Sequence, residues 1–125
     1  MDTLAIEMSA KTPLVKLSPG GKLEFRGRSI PENSIEFYSP IFDWIDSFAA
    51  DPQPETELHI QLEYFNTSSS KCLLDIFKKL QTLHVAGKSK VTAHWYYESD
   101  DEDMLEAGED YQAIIKIPFV LIKID

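Results

Sequence analysis

"TELHIQLEYFNTSSSKCLLDIFKKL", residues 56–80, changes its hydrophobic period part-way along. Up to Phe65 the pattern alternates as a strand does. Leu58, Ile60, Leu62 and Tyr64 fall on one face, and His59, Gln61, Glu63 and Phe65 on the other. Beyond the junction the spacing is helical: Leu73, Ile76, Phe77, Leu80 and Leu83 form one stripe, and Gly87 is placed to end the helix. Between the two stand Thr67, Ser68, Ser69 and Ser70, four consecutive hydroxyls where a single cap would serve.

The same two periods alternate along the rest of the chain. "PLVKL" (13–17) and "KLEFRGR" (22–28) flank "SPGG" and predict a β-hairpin. Residues 1–11 are either an extra edge strand or a frayed end. In "PENSIEFYSPIFDWIDSFAA" (31–50), Ser34 or Asn33 can cap a first helical turn, and Ser39 with Pro40 fits a restarted helix. Phe37, Ile41, Trp44, Ile45 and Phe48 then face the core. Ile35, Tyr38 and Phe42 make a second apolar stripe, either the rest of a wide buried face or a partner-docking surface. "DPQP" (51–54) breaks the chain, "KVTAHWYY" (90–97) predicts a strand, "SDDEDMLEAGED" (99–110) a short acidic helix, and "IKIPFVLIKI" (115–124) a last strand. Strands alternating with helices imply an α/β sheet, parallel in its later part, with right-handed crossovers.

Composition narrows the function. At 125 residues, 43% of them hydrophobic, the chain can build one core and is too short for two ordinary domains. A formal charge of −9 argues against nucleic acid and against anionic lipid as partners. The start carries no secretory pattern, and the apolar stretch near the end is interrupted by Lys116, Pro118 and Lys123, far short of a membrane span. Cys72, the single cysteine, has no internal partner for a disulfide, so a reducing cytoplasm is the expected compartment.

Catalytic and metal motifs are weak. His59 and His94 lie on strands that can be neighbours, and His84 lies in the last turn of a helix. No His/Cys/carboxylate spacing resembles a zinc site, so no bound metal is expected. The run Asp100–Asp103 fails as a calcium loop, because Leu105 and Glu106 fall where an acidic residue and a glycine belong. There is no G-x-S-x-G, no P-loop and no G-x-G-x-x-G. A nucleophile at Thr67 or Ser69 would lack a visible base. Asn66-Thr67-Ser68 matches a glycosylation sequon that a cytoplasmic chain would not present to its enzyme. The hydroxyl run therefore has two readings: capping, worth about 1 kcal/mol, or a phosphorylation site. A phosphate there would bring about −1.5 to −2 charges to a helix start that favours anions. Lys71, four residues past Thr67, could pair with it.

"LHIQLEYFNTSSSKCLLDIFKKLQ" resembles the strand–loop–helix of anti-sigma factor antagonists of the STAS type, in which an aspartate precedes Ser-Ser-Gly and the first serine is phosphorylated. Asn66, Thr67, Ser68 and Ser69 stand in that place here. The chain is more similar to the SiaC family of bacterial regulatory phosphoproteins. The likeness rests on "PENS" (31–34), the helix with Trp44, "YFNTSS" (64–69), "HWYY" (94–97) and "PF" (118–119). The resemblance implies a single STAS-like domain over residues 1–125, a mixed β-sheet with helices packed mainly on one face, no enzymatic activity and no cofactor. It implies phosphorylation of Thr67 by a GHKL-type protein serine/threonine kinase and removal by a metal-dependent serine/threonine phosphatase. The bare form would bind and activate a downstream effector, a diguanylate cyclase in the known system, and so control c-di-GMP signalling and biofilm formation. Asn66, Ser68, Ser69 and Lys71 would form the phosphosite environment, and Glu32, Asn33, Ile35, Tyr38 and Phe42 a partner surface. The alternative is a STAS-like adaptor or anti-sigma factor antagonist in which Thr67 is only a helix cap.

Overall fold

The computed structural model describes residues 1–125, which form one six-stranded mixed sheet and three helices. The strands are β1 (Leu4–Ile6), β2 (Leu14–Leu17), β3 (Lys22–Ser29), β4 (Glu55–Phe65), β5 (Lys90–Glu98) and β6 (Phe119–Ile124). They lie side by side in chain order, β1-β2-β3 antiparallel and β3-β4-β5-β6 parallel. Three helices make the parallel crossovers: α1 (Ser34–Ala50), α2 (Thr67–Val85) and α3 (Glu102–Ile114). When parallel strands advance in one direction, right-handed crossovers all fall on the same side. The burial pattern agrees. Leu58, Ile60 and Leu62 of β4 alternate with more open residues, as do Val91, Ala93 and Trp95 of β5, so one face meets the helices and the other does not.

The predicted hairpin is present, and the amino-terminal residues supply a short edge strand rather than a frayed end. Gly21 closes the hairpin turn at φ +105°. A Cβ there would collide with the Glu55 carbonyl, and the Gly21 carbonyl in turn accepts the Glu57 N–H at 2.7 Å. At the end of α2, Gly87 takes φ +72°. Its N–H reaches the His84 carbonyl and that of Lys88 the Leu83 carbonyl, the paired bonds of a Schellman stop.

Four local expectations need correcting. Helix α1 does not restart at Pro40. It runs unbroken from an Asn33 cap, and Pro40 sits exposed within it, leaving the Glu36 carbonyl without its usual helical donor. The buried stripe of α1 is rotated toward Tyr38, which is 0% exposed, while Phe37 is half-buried. The strict alternation of β4 fails near its end. Gly27 pairs with Leu62 but Arg28 pairs with Tyr64, so Glu63 is an extra residue in the ladder. Tyr64 is thereby turned outward at 58% exposure, and Phe65 packs edge-on to Trp95 at 6.1 Å. Finally, the last strand begins at Phe119, not at Ile115. Pro118 offers no N–H to a ladder, and only its carbonyl is used, by the Ala93 N–H.

Candidate functional site

The β4 bulge delivers the chain into α2 at the carboxyl end of the parallel strands. Asn66 is the N-cap, and its Oδ1 accepts the Ser69 N–H at 2.9 Å. Thr67 is the first helical residue and takes no part in capping, which corrects the reading of Thr67 as the cap. Asn66→Ala is expected to lower stability by about 1 kcal/mol in urea denaturation. Thr67→Ala, losing no bond, should leave the midpoint within error.

The four hydroxyls have separate fates. Ser70 Oγ donates to the Thr67 carbonyl at 2.7 Å, and the Ser70 carbonyl accepts the Tyr111 hydroxyl at 2.8 Å, which ties α3 to the first turn of α2. Ser69 is fully buried and donates to the Ser29 carbonyl at 2.9 Å. Ser29 Oγ donates to Ser69 Oγ at 2.9 Å and meets the Tyr38 hydroxyl at 2.6 Å. Because each donation is fixed, Ser29 must accept from Tyr38, and the three hydroxyls form a closed relay from α1 through β3 to α2. Burial pushes the Tyr38 phenol up to about 12, so it stays a donor at any ordinary pH. Ser68 donates to Asn66 Oδ1 at 3.1 Å and meets Ser34 Oγ at 2.6 Å. Thr67 alone is exposed with its hydroxyl making no hydrogen bond inside the protein.

The surroundings suit an anion. The first turn of α2 has no acidic residue, and its free N–H groups carry about half a positive charge. Lys71 is exposed and free of any ion pair. Cys72, one residue on, is buried. Burial and the nearby Asp75 push its thiol upward, which leaves it neutral and unreactive.

The residues of the expected partner surface divide. Ile35 stands 77% exposed beside Ser34, and Glu32 and Asn33 are exposed next to it. Asn33 also caps α1 through Glu36 N–H at 3.1 Å, and Glu32 lies 3.6 Å from Lys11. Phe42 is half-buried with Lys79 Nζ 5.7 Å above its ring. Tyr38 is no surface residue at all: it belongs to the buried relay. Sequence reasoning missed Ser29 and the Ser34–Ser68 bond. The only available signal was a serine at the end of a strand and another in a cap, both of which are common.

A match to the model of the SiaC family regulatory phosphoproteins covers residues 6–124. The chain belongs to the SiaC family. An uncharacterized protein of Pseudomonas aeruginosa (strain UCBPP-PA14) is 34% identical over 97% of this chain and 96% of its own. Apo-SiaC from Pseudomonas aeruginosa superposes with a TM-score of 0.89 at 34% identity, over 98% of this chain and 99% of that one. SiaC in complex with the diguanylate cyclase SiaD, whose activator it is, gives 0.91 at 34% identity, over 97% and 99%. The SiaC family thus shares this mixed sheet and its helices. No helix here is long and apolar enough to cross a membrane.

Proposed function

We propose that this chain is a partner-switching regulator, a single domain over residues 1–125 without catalytic activity of its own, acting in the bacterial cytoplasm. Reversible phosphorylation of Thr67 decides whether it binds and activates a diguanylate cyclase. A GHKL-type kinase adds the phosphate and a metal-dependent phosphatase removes it, so the output is c-di-GMP and the biofilm behaviour that depends on it. One observation carries this reading: of four adjacent hydroxyls, three are bound within the fold and Thr67 alone is exposed and unengaged at a helix start. The capture of a SiaC protein with the cyclase it activates supports the class of effector. The lone, buried Cys72, with no disulfide partner, suits a reducing compartment. Ile35 is exposed and adjoins Ser34, which meets Ser68 at 2.6 Å, and this nearness to Thr67 supports reading Ile35, with Glu32 and Asn33, as part of the partner surface.

The test is fragment mass spectrometry on the protein purified from its native cells with phosphatases inhibited. A single phosphate on Thr67, with Ser68 and Ser69 unmodified, is the expected result. An unmodified 66–71 peptide across growth conditions, or phosphate on Ser69, would overturn the assignment.

A further inference from the structure

The sheet face turned away from the helices carries a second cluster that the proposed switch does not use. Glu57 and His59 stand two residues apart on β4 and so project from the same face. His94 on β5 is the registered partner of His59 across the parallel ladder. The three residues make a right-angled corner, two along one strand and one on its neighbour. Their potential ligand atoms all lie within 4.8 Å of one another. Tetrahedral coordination with metal–ligand bonds of about 2.0–2.1 Å sets ligand atoms roughly 3.4 Å apart. His59 Nε2 and Glu57 Oε1 are already 3.2 Å apart.

For His59 the outer contact is the one such a site requires. A metal-bound imidazole is held by a hydrogen bond through its other nitrogen. His59 Nδ1 meets the Tyr96 hydroxyl at 2.9 Å, which fixes the ring and leaves Nε2 facing Glu57. The His94 ring lies parallel to His59 at 4.3 Å and 9°, so one ring must turn about its Cβ–Cγ bond before both lone pairs meet at one ion, and His94 Nδ1 is buried with no hydrogen-bond partner to hold the ring against that turn. By contrast, His84 Nδ1 accepts the Val91 N–H, a sufficient structural reason for that residue. A hollow of about 240 Å³, lined by Glu55, Glu57, Lys90 and His94 among others but not by His59, opens beside the corner.

We propose that Glu57, His59 and His94 form a binding site for a divalent first-row transition ion, with zinc the best fit to two imidazoles and one carboxylate, joining β4 to β5. The site stands independently of the Thr67 switch. Sequence spacing conceals it, because the two histidines lie on different strands and only the register brings them together.

The test uses the full chain, free of affinity-tag histidines and stripped with chelator, titrated with zinc chloride in a calorimeter and with cobalt in a spectrophotometer. One ion per chain at micromolar affinity, with the visible bands of low-coordinate cobalt, is expected. Saturating zinc should raise the thermal midpoint by about 10 °C at a hundredfold excess over Kd. Glu57→Gln, an exposed change that spares the fold, should weaken binding at least tenfold, as should His59→Ala and His94→Ala. Tyr96→Phe should weaken it about tenfold through His59 alone, while His84→Ala changes nothing. Absence of binding at micromolar zinc, or binding unaltered in both Glu57→Gln and His94→Ala, would overturn the site.

Discussion

Thr67→Glu is expected to weaken binding to the proposed diguanylate cyclase partner more than a hundredfold, while Thr67→Ala binds as the unaltered chain does. The physical case starts from what the position costs to bury. A lone hydroxyl at the tip of a rigid helix can enter an interface and find one hydrogen bond there. A charged group must shed its water, and a difference of about 3 kcal/mol already exceeds a hundredfold in affinity. The free protein should not suffer. A carboxylate in the first turn of α2 is favoured by the helix dipole by about 0.3–1 kcal/mol, and Lys71 is free to face it. The thermal midpoint of Thr67→Glu should therefore hold or rise slightly, so lost binding cannot be ascribed to lost folding. Phosphate carries more charge than glutamate, and the proposed phosphorylation switch should be at least as deep. Calorimetry against the purified cyclase, with its product formation measured in parallel, decides the matter. Equal affinities for the alanine and glutamate variants would make Thr67 a bystander.

What was legible in the sequence follows from what each feature depends on. The helical stripe of α2 and the hairpin around Gly21 rest on local periodicity and turn chemistry, and both were readable. The bulge at Glu63 was not, because a bulge is a relation between two strands and leaves the composition of either unchanged. It nevertheless decides that Phe65 enters the core and Tyr64 leaves it. Pro40 misled because a proline in a cap-like context ordinarily opens a helix. Here the buried contacts of Tyr38, Ile41, Trp44 and Ile45 outweigh one missing backbone bond. At the site, Thr67 was legible as one of four hydroxyls but not as the free one. That distinction depends on Ser29 and Ser34, which are distant in sequence and meet the run only in the folded chain. The histidine pair was hidden in the same way by strand register.

Gly108→Val is expected to cost about 3 kcal/mol or more, against the direction that helix propensity alone would give. A glycine inside a helix is worth about 1 kcal/mol less than alanine, so replacing it should normally help. In α3 the geometry reverses the sign. A Cβ on Gly108 would lie 2.5 Å from Trp95 Cδ1 and 2.7 Å from its Nε1. The indole cannot step aside. It is 1% exposed, its Nε1 donates to the Met104 carbonyl at 2.9 Å, and Phe65, Phe77 and Tyr111 stand around it at 5.5–6.4 Å. Overpacking at such a site costs about 1–3 kcal/mol for small insertions, and valine adds two further methyls. Lifting α3 would also pull the Tyr111 hydroxyl from the Ser70 carbonyl, so the strain reaches the first turn of α2. Urea denaturation of Gly108→Val gives the size, and the pair with Trp95→Phe gives the cause. In the smaller-ring background Gly108→Ala should recover most of its penalty, because the clash is with the indole and the propensity gain remains. A Gly108→Val protein as stable as the original would mean that α3 does not rest on Trp95, and with it would fall the tether that holds the α2 start in place.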